Sequence, residues 1–316
     1  MKLAVIFNGQ GGQYPGMGAD FKEAYPQAQA VYQTFESVLG EPVADWAQSQ
    51  DRLSLTRYAQ PAILATSLAI YNSIKAQLPA ISYMAGLSLG EYTALTAAGY
   101  LTLESAADLI NQRGLIMGQV CQDLSETSDV AMGAAVRLPL EAVQSLVKEV
   151  QDQGHEIYLA NMNASTQTIL AGRSEALDAY NQLAKSQGYK KLMPLKVEGP
   201  FHSPLMEGAC QPFSQVLENT DFQPGQVPVI SNTTLEVHQP ATIKETLVRH
   251  LVEPVHWKQT MDYFQAQGVT HVVQIGPGDT LVKLAKREGY DFDLLLVDKI
   301  SDIEEIETVI NKGVEK

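Results

Sequence analysis

Ile81-Ser82-Tyr83-Met84-Ala85-Gly86-Leu87-Ser88-Leu89-Gly90-Glu91 passes from a short apolar segment into a Gly-x-Ser-x-Gly pattern. The apolar part, 81–85, reads as a buried strand. Residues 91–98 are rich in good helix formers, and Gly99 can stop that helix. Gly-x-Ser-x-Gly between a strand and a helix is the pattern of a nucleophile elbow. Its glycines let neighbouring backbone pass close, and Ser88 Oγ is held up at the end of the sheet beside the N–H groups of a helix start. The simpler alternative is an ordinary strand–helix turn with Ser88 as N-cap.

The chain around this stretch has 316 residues, enough for one large domain or about two. Hydrophobic residues make up 45% and charged residues 18%, the balance of a globular protein. A formal net charge of −14 disfavours nucleic acid and anionic membrane surfaces as partners. The two cysteines, Cys121 and Cys210, have no metal or redox spacing, which points to a reducing cytosol and no disulfide scaffold. The apolar run at Met1–Phe7 is too short for a signal peptide, and no run is long enough to span a bilayer.

Leu3 to Phe7 reads as a first buried strand entering the glycine-rich loop Asn8-Gly9-Gln10-Gly11-Gly12-Gln13. That loop matches neither a phosphate loop nor a dinucleotide turn, yet it offers backbone N–H groups at a strand end as oxyanion donors. Helices are expected over 20–39, over 60–75 with Pro61 in the first turn, and over 103–120, with polar residues 122–129 breaking the pattern. From Val130 the order becomes strand 131–138, helix to about 150, strands 157–161 and 168–171, helix 174–187 and strand 191–197. This β-α-β-β-α-β order is ferredoxin-like, and Glu198-Gly199-Pro200 closes it like a hinge. A helix from His202 to about Glu218 and strands at 227–231, 271–275 and 294–297 complete a mostly parallel sheet. The expected division is 1–123 with 198–316 as a large α/β part, and 124–197 as an inserted subdomain.

A nucleophilic Ser88 needs a base, and the six histidines are His155, His202, His238, His250, His256 and His271. His271 opens an apolar strand, while His155 and His238 lie in polar stretches and read as solvated. His202, between Pro200-Phe201 and a helix, is favoured, with His250 and His256 left open. Asp108, Asp123, Asp129, Asp152 and Asp178 fit a triad by chain order, but none has a telling neighbourhood. Arg113 has a bland reading, an ion pair with Glu104 or Asp108, and a sharper one, a fork for a substrate carboxylate.

Several blocks in one order then match a known family: Gly9-Gln10-Gly11-Gly12-Gln13, Gln60-Pro61-Ala62, Gly86-Leu87-Ser88-Leu89-Gly90-Glu91-Tyr92 and Arg113-Gly114 in the first half. Asn161-Met162-Asn163, Phe201-His202-Ser203-Pro204, Glu253-Pro254-Val255 and Ile275-Gly276-Pro277-Gly278 follow. Over its full length the chain resembles the malonyl-CoA:acyl carrier protein transacylases of bacterial fatty-acid synthesis. The resemblance implies a three-layer α/β/α hydrolase-like core with a short, mostly parallel sheet and an inserted ferredoxin-like subdomain.

It also implies Ser88 as acyl-carrying nucleophile, His202 as base, Arg113 as holder of the malonyl carboxylate, and the Gln10 and Leu89 amides as oxyanion hole. The main-chain carbonyl of His250 would orient the catalytic imidazole. Malonyl-CoA and acyl carrier protein are the implied partners of a cytoplasmic, monomeric enzyme without metal or redox cofactor. The chain departs from many members in having Leu87 where they have His, and His250 where they have Gln. A trans-acting acyltransferase of a polyketide synthase has the same motifs and is the nearest rival; a serine esterase is a more distant one. For an acidic carrier protein, Lys190, Lys191 and Lys196, facing Lys283, Lys286 and Arg287, are the candidate basic patch.

Overall fold

A computed structural model describes residues 1–127, 129–306 and 308. Strand β1 (Leu3–Phe7) is buried at every residue and lies mid-sheet. Its neighbours are β2 (Ile81–Gly86) and β7 (His271–Ile275), and β8 (Asp293–Val297) is the outer strand, all parallel in the order β2-β1-β7-β8. A continuous apolar run is what a parallel strand covered on both faces requires.

The alternation along β1 shows the layering. Leu3, Val5 and Phe7 enter one core, shared with residues of α2 (Pro26–Leu39), α5 (Thr56–Ile74), α6 (Leu89–Ala97) and α7 (Leu103–Thr127). Ala4 and Ile6 enter another, with Trp257, Met261 and Phe264 of α12 (Trp257–Ala266) and Leu281 and Leu284 of α13 (Thr280–Glu288). The sheet therefore lies between two helical layers, the expected α/β/α arrangement.

A second four-stranded sheet is antiparallel, in the order β4-β5-β3-β6: β3 (Val130–Val136), β4 (Ile157–Ala164), β5 (Gln167–Arg173) and β6 (Met193–Pro194). Helices α8 (Leu140–Asp152) and α9 (Ser174–Ser186) cover one face through Val143, Leu146, Val147, Leu177 and Tyr180. Met132, Ala134, Ala160 and Ile169 turn the other way, into the main core. Connection order and strand order are those of the ferredoxin-like unit.

Several elements differ from the sequence reading. The helix expected over 20–39 is two, α1 (Ala19–Ala24) and α2, because Tyr25 is extended ahead of Pro26. Helix α5 begins at Thr56, so Pro61 is inside it and not in its first turn. Helix α7 continues through polar residues to Thr127, since a polar face suits a helix whose other side is buried. The strand expected over 191–197 pairs only at Met193 and Pro194, and that over 227–231 reduces to single bridges at Val229 and Ile230. Pro194 and Pro228 lack the N–H a longer ladder needs. The segment after His202 begins as a 3₁₀ turn, Pro204–Ala209, before α10 (Cys210–Glu218). Two short helices, α3 (Val43–Trp46) and α4 (Gln50–Leu53), and α11 (Ile243–Arg249) complete the helices named here.

Candidate active site

Ser88 stands between β2 and α6 with φ 52° and ψ −107°, a left-handed backbone unusual for a residue with a side chain. The glycine after it explains how the turn fits. A Cβ on Gly90 would lie 2.2 Å from the Phe7 carbonyl oxygen, so the first turn of α6 can cross the end of β1 only without one. Gly9 is pressed against the same elbow: its Cβ would lie 2.3 Å from the Leu87 oxygen. This close approach brings Gln10 beside Ser88 and Leu89, and all three line one cleft. Leu89 is the first residue of α6, where N–H groups have no intrahelical partner. The Gln10 side chain is 3.2 Å from Thr56 Oγ1, and the Thr56 N–H donates to the Glu198 carboxylate.

His202 also has a left-handed backbone, φ 57°. Its Nδ1 is 2.8 Å from the His250 carbonyl oxygen, which can only accept, so Nδ1 carries the proton. Nε2 then presents its lone pair to Ser88 Oγ at 2.6 Å. Burial and the nearby Arg113 charge push this imidazole down to about 4, while its hydrogen bonds to the backbone of His250 and Glu253 work in the opposite direction. A neutral, oriented base therefore touches the hydroxyl at neutral pH. Among the described residues none of the five ordered aspartates is bonded to His202; the backbone carbonyl occupies the place of an acid.

Arg113 is 1% exposed and forms no ion pair with Glu104 or Asp108. Nη1 donates to Gln60 Oε1 at 2.7 Å, and the guanidinium carbon stands 5.0 Å from the Tyr92 ring centre. Nε and Nη2 are buried and, among the described residues, have no acceptor. Such a guanidinium, fixed on two sides, can meet both oxygens of a carboxylate.

Ser88, His202 and Arg113 share a cleft of about 1010 Å³ with Met132, Ala134 and Ile169 of the antiparallel sheet. Lys190, Lys191, Lys196 and Arg287 line it too, whereas Lys283 is tied to Asp279 at 2.8 Å. His271 is 3.1 Å from Asp293 and away from the cleft lining. His256 opens α12 and gives its N–H to the Asn232 oxygen. The reading of His238 as solvated is wrong: it is 4% exposed, with Nε2 2.5 Å from Glu91 Oε1. Its partner is on the elbow helix, beyond the reach of a local reading.

Sequence reasoning also missed Asn232, whose Oδ1 accepts the Ser88 N–H at 2.7 Å, and gave no role to Glu91 or Gln60. A carboxylate in the first turn of an otherwise apolar helix was the one available signal for Glu91. Among the described residues no three His, Cys, Asp or Glu form a metal-binding group, and no helix is long and apolar enough to cross a membrane.

Comparison with known proteins finds similarity over almost the whole chain. Residues 5–309 match the family model described as acyl transferase domain. The malonyl CoA-acyl carrier protein transacylase of Bacillus subtilis (strain 168) is 35% identical over 312 residues, covering 98% of this chain and 96% of that protein. The enzyme of the same name from Escherichia coli (strain K12) is 33% identical over 294 residues, 90% of this chain and 92% of its own. A crystal structure of MCAT from Streptococcus pneumoniae superposes with a TM-score of 0.92 at 34% identity, over 98% of this chain and all (100%) of that one. A malonyl-transacylase solved in complex with a type II PKS acyl-carrier protein gives 0.91 at 32% identity, over 98% of this chain and 100% of that one.

Proposed function

The chain belongs to the acyl transferase domain family, and from that premise we propose that it carries a malonyl group from malonyl-CoA to the phosphopantetheine thiol of an acyl carrier protein, through a malonyl ester on Ser88. The observation that carries this reading is one cleft holding a serine hydroxyl 2.6 Å from a neutral imidazole and a buried guanidinium with two free donors.

In the first half-reaction His202 Nε2 takes the Ser88 proton as Oγ attacks the thioester carbon. The Gln10 and Leu89 amides are the donors for the oxyanion, a contribution of about 10²–10³ in rate for each such donor. The His250 carbonyl steadies the imidazolium through Nδ1–H. When the C–S bond breaks, that imidazolium returns the proton to sulfur and CoA leaves as its thiol. The second half repeats these steps in reverse, with the pantetheine thiol giving its proton to His202 and attacking the Ser88 ester. Arg113 pairs with the malonyl carboxylate throughout. Entering a poorly hydrated cleft unpaired would be expensive for that anion.

The reading includes a cytosolic, monomeric, cofactor-free enzyme built from 1–123 with 198–316 and an inserted 124–197. In this reading the acceptor is the acyl carrier protein of fatty-acid synthesis, and the named relatives are malonyl CoA-acyl carrier protein transacylases. The relative solved with a polyketide carrier favours a second reading, the same transfer to a polyketide carrier protein. Intact-mass analysis after mixing with malonyl-CoA tests the chemistry: one malonyl adduct, mapped to Ser88, is expected. Transfer from that adduct to fatty-acid and polyketide carrier proteins distinguishes the two readings.

A further inference from the structure

Ser88-Leu89-Gly90-Glu91 has the Ser-x-x-Glu spacing of a helix capping box, with Ser88 as N-cap and Glu91 as third residue of α6. In an ordinary box the serine hydroxyl accepts from the backbone of the third residue, and the glutamate accepts from the serine N–H. Neither bond is made here. Ser88 makes no side-chain cap bond, and its Oγ is with His202.

Asn232 stands between the two halves of the box. Its Oδ1 accepts the Ser88 N–H at 2.7 Å, and its own N–H donates to Glu91 Oε2 at 3.0 Å. Its backbone oxygen accepts from the His256 N–H at 3.0 Å, so three of its polar groups are tied. Glu91 Oε1 is held at 2.5 Å by His238 Nε2, which keeps the carboxylate turned away from Ser88. Glu91 and Asn232 are fully buried (0% exposed) and His238 nearly so, 4%. Asn232 Nδ2 is buried without an acceptor among the described residues, and the remaining bonds hold this dry polar cluster in place.

The geometry points to a relayed capping box: Asn232 accepts the Ser88 N–H in place of Glu91, the Ser88 carbonyl accepts the Glu91 N–H at 3.0 Å in place of the Ser88 hydroxyl, and with His238 clamping Glu91 away the hydroxyl is left free for reaction. Asn232, Glu91 and His238 are positioning residues, acting through the Ser88 backbone. Without Asn232 the Glu91 side chain has a short route back to the Ser88 N–H. The ordinary box then reforms, and Oγ turns to the helix backbone and away from His202. Glu91 also reaches toward the base, 3.7 Å from the ring of His250, whose carbonyl orients His202. One carboxylate thus borders both halves of the reactive pair.

The inference rests on Ser88 as nucleophile, and its test separates that reading from malonyl transfer. Ser88 labelling is followed by intact mass with two reagents: malonyl-CoA, and a small neutral fluorophosphonate, from which Oγ displaces fluoride while His202 takes the proton. Asn232→Leu, similar in size but without an acceptor, is expected to slow both labellings by about a hundredfold, the scale for a misplaced reacting group. Malonyl-CoA affinity, measured on a Ser88→Ala background, should stay within about threefold.

Glu91→Gln, which can still accept from Asn232, should retain most of the rate, and Glu91→Leu should not. Asn232→Ser, which keeps the backbone bonds, serves if the leucine variant fails to fold. Fluorophosphonate labelling of either folded Asn232 variant within about threefold of wild type overturns the relay, as does a parallel loss of malonyl-CoA affinity. A wild-type chain that takes the fluorophosphonate but not malonyl overturns malonyl transfer, while the labelling ratio still decides the relay.

Discussion

Ser88 Oγ and His202 Nε2 are 2.6 Å apart although 114 residues separate them, and the opposite ring nitrogen is fixed to a backbone carbonyl. A backbone carbonyl is not removed by side-chain substitution, so the orientation of the base should not depend on which side chain stands at position 250. Ser88→Ala should abolish the malonyl adduct and leave the fold intact. His202→Ala should slow acylation by about 10²–10⁴-fold, the contribution of a placed general base, without loss of malonyl-CoA binding. Rapid-quench acylation and binding on the inactive background measure the two separately.

The depressed His202 gives a pH profile. The free chain needs this ring neutral, and it titrates at about 4, so acylation should hold from neutral pH down to about 5 and fall as pH passes through about 4. Stability moves earlier. His202 and His250, both lowered by burial, stay neutral in the fold where an unfolded chain protonates them near 6.5. As pH falls below about 6.5 the unfolded state binds protons that the folded state refuses, and stability drops by roughly 1.4 kcal/mol per pH unit per such ring. The loss from His202 ends near 4. Denaturant melts from pH 7 to 4.5 should show the decline, reduced in His250→Gln.

In the proposed reaction Arg113 should discriminate in both directions. A malonyl carboxylate finds two free donors there, whereas an acetyl group leaves a buried cation unpaired. Arg113→Ala should lower malonyl transfer by roughly 2–5 kcal/mol of transition-state stabilisation and raise acetyl transfer relative to it. Arg113→Lys should restore only part, because an ammonium cannot fill the fork between Gln60 and Tyr92. Equal losses with both substrates would assign the residue a structural role.

Lys190, Lys191, Lys196 and Arg287 line the cleft of a chain with net charge −14. Charge reversal at Lys190 and Arg287 should raise KM for an acidic carrier protein several-fold, more so at low salt, and leave acylation by malonyl-CoA unchanged. Reversal at Lys283, already paired with Asp279, should matter less. Steady-state transfer at two ionic strengths tests this.

The elbow was legible because its signals are local: an apolar run, two glycines and a helix that begins at once. The parallel sheet was legible for the same reason, since β1 is apolar throughout. Proline effects were only half legible. Pro26 splits a helix that periodicity joined, while Pro61 sits comfortably inside α5. The partners of Ser88 were beyond local reading. His202 was one of three open histidines, and Asn232 and His238 lie 144 residues from Ser88 and 147 from Glu91. Their contacts come from the 229–238 segment docking against β2, which no spacing announces.

The left-handed backbone shared by Ser88 and His202 sets activity against durability. A side chain at φ 52° costs about 1 kcal/mol or more relative to glycine, which adopts that region freely. The chain bears this cost at the two positions that the proposed chemistry cannot give up. Ser88→Gly should therefore melt higher than the wild type while being inert. Selection for thermal tolerance alone, without demand for acyl transfer, would be expected to erode the elbow first.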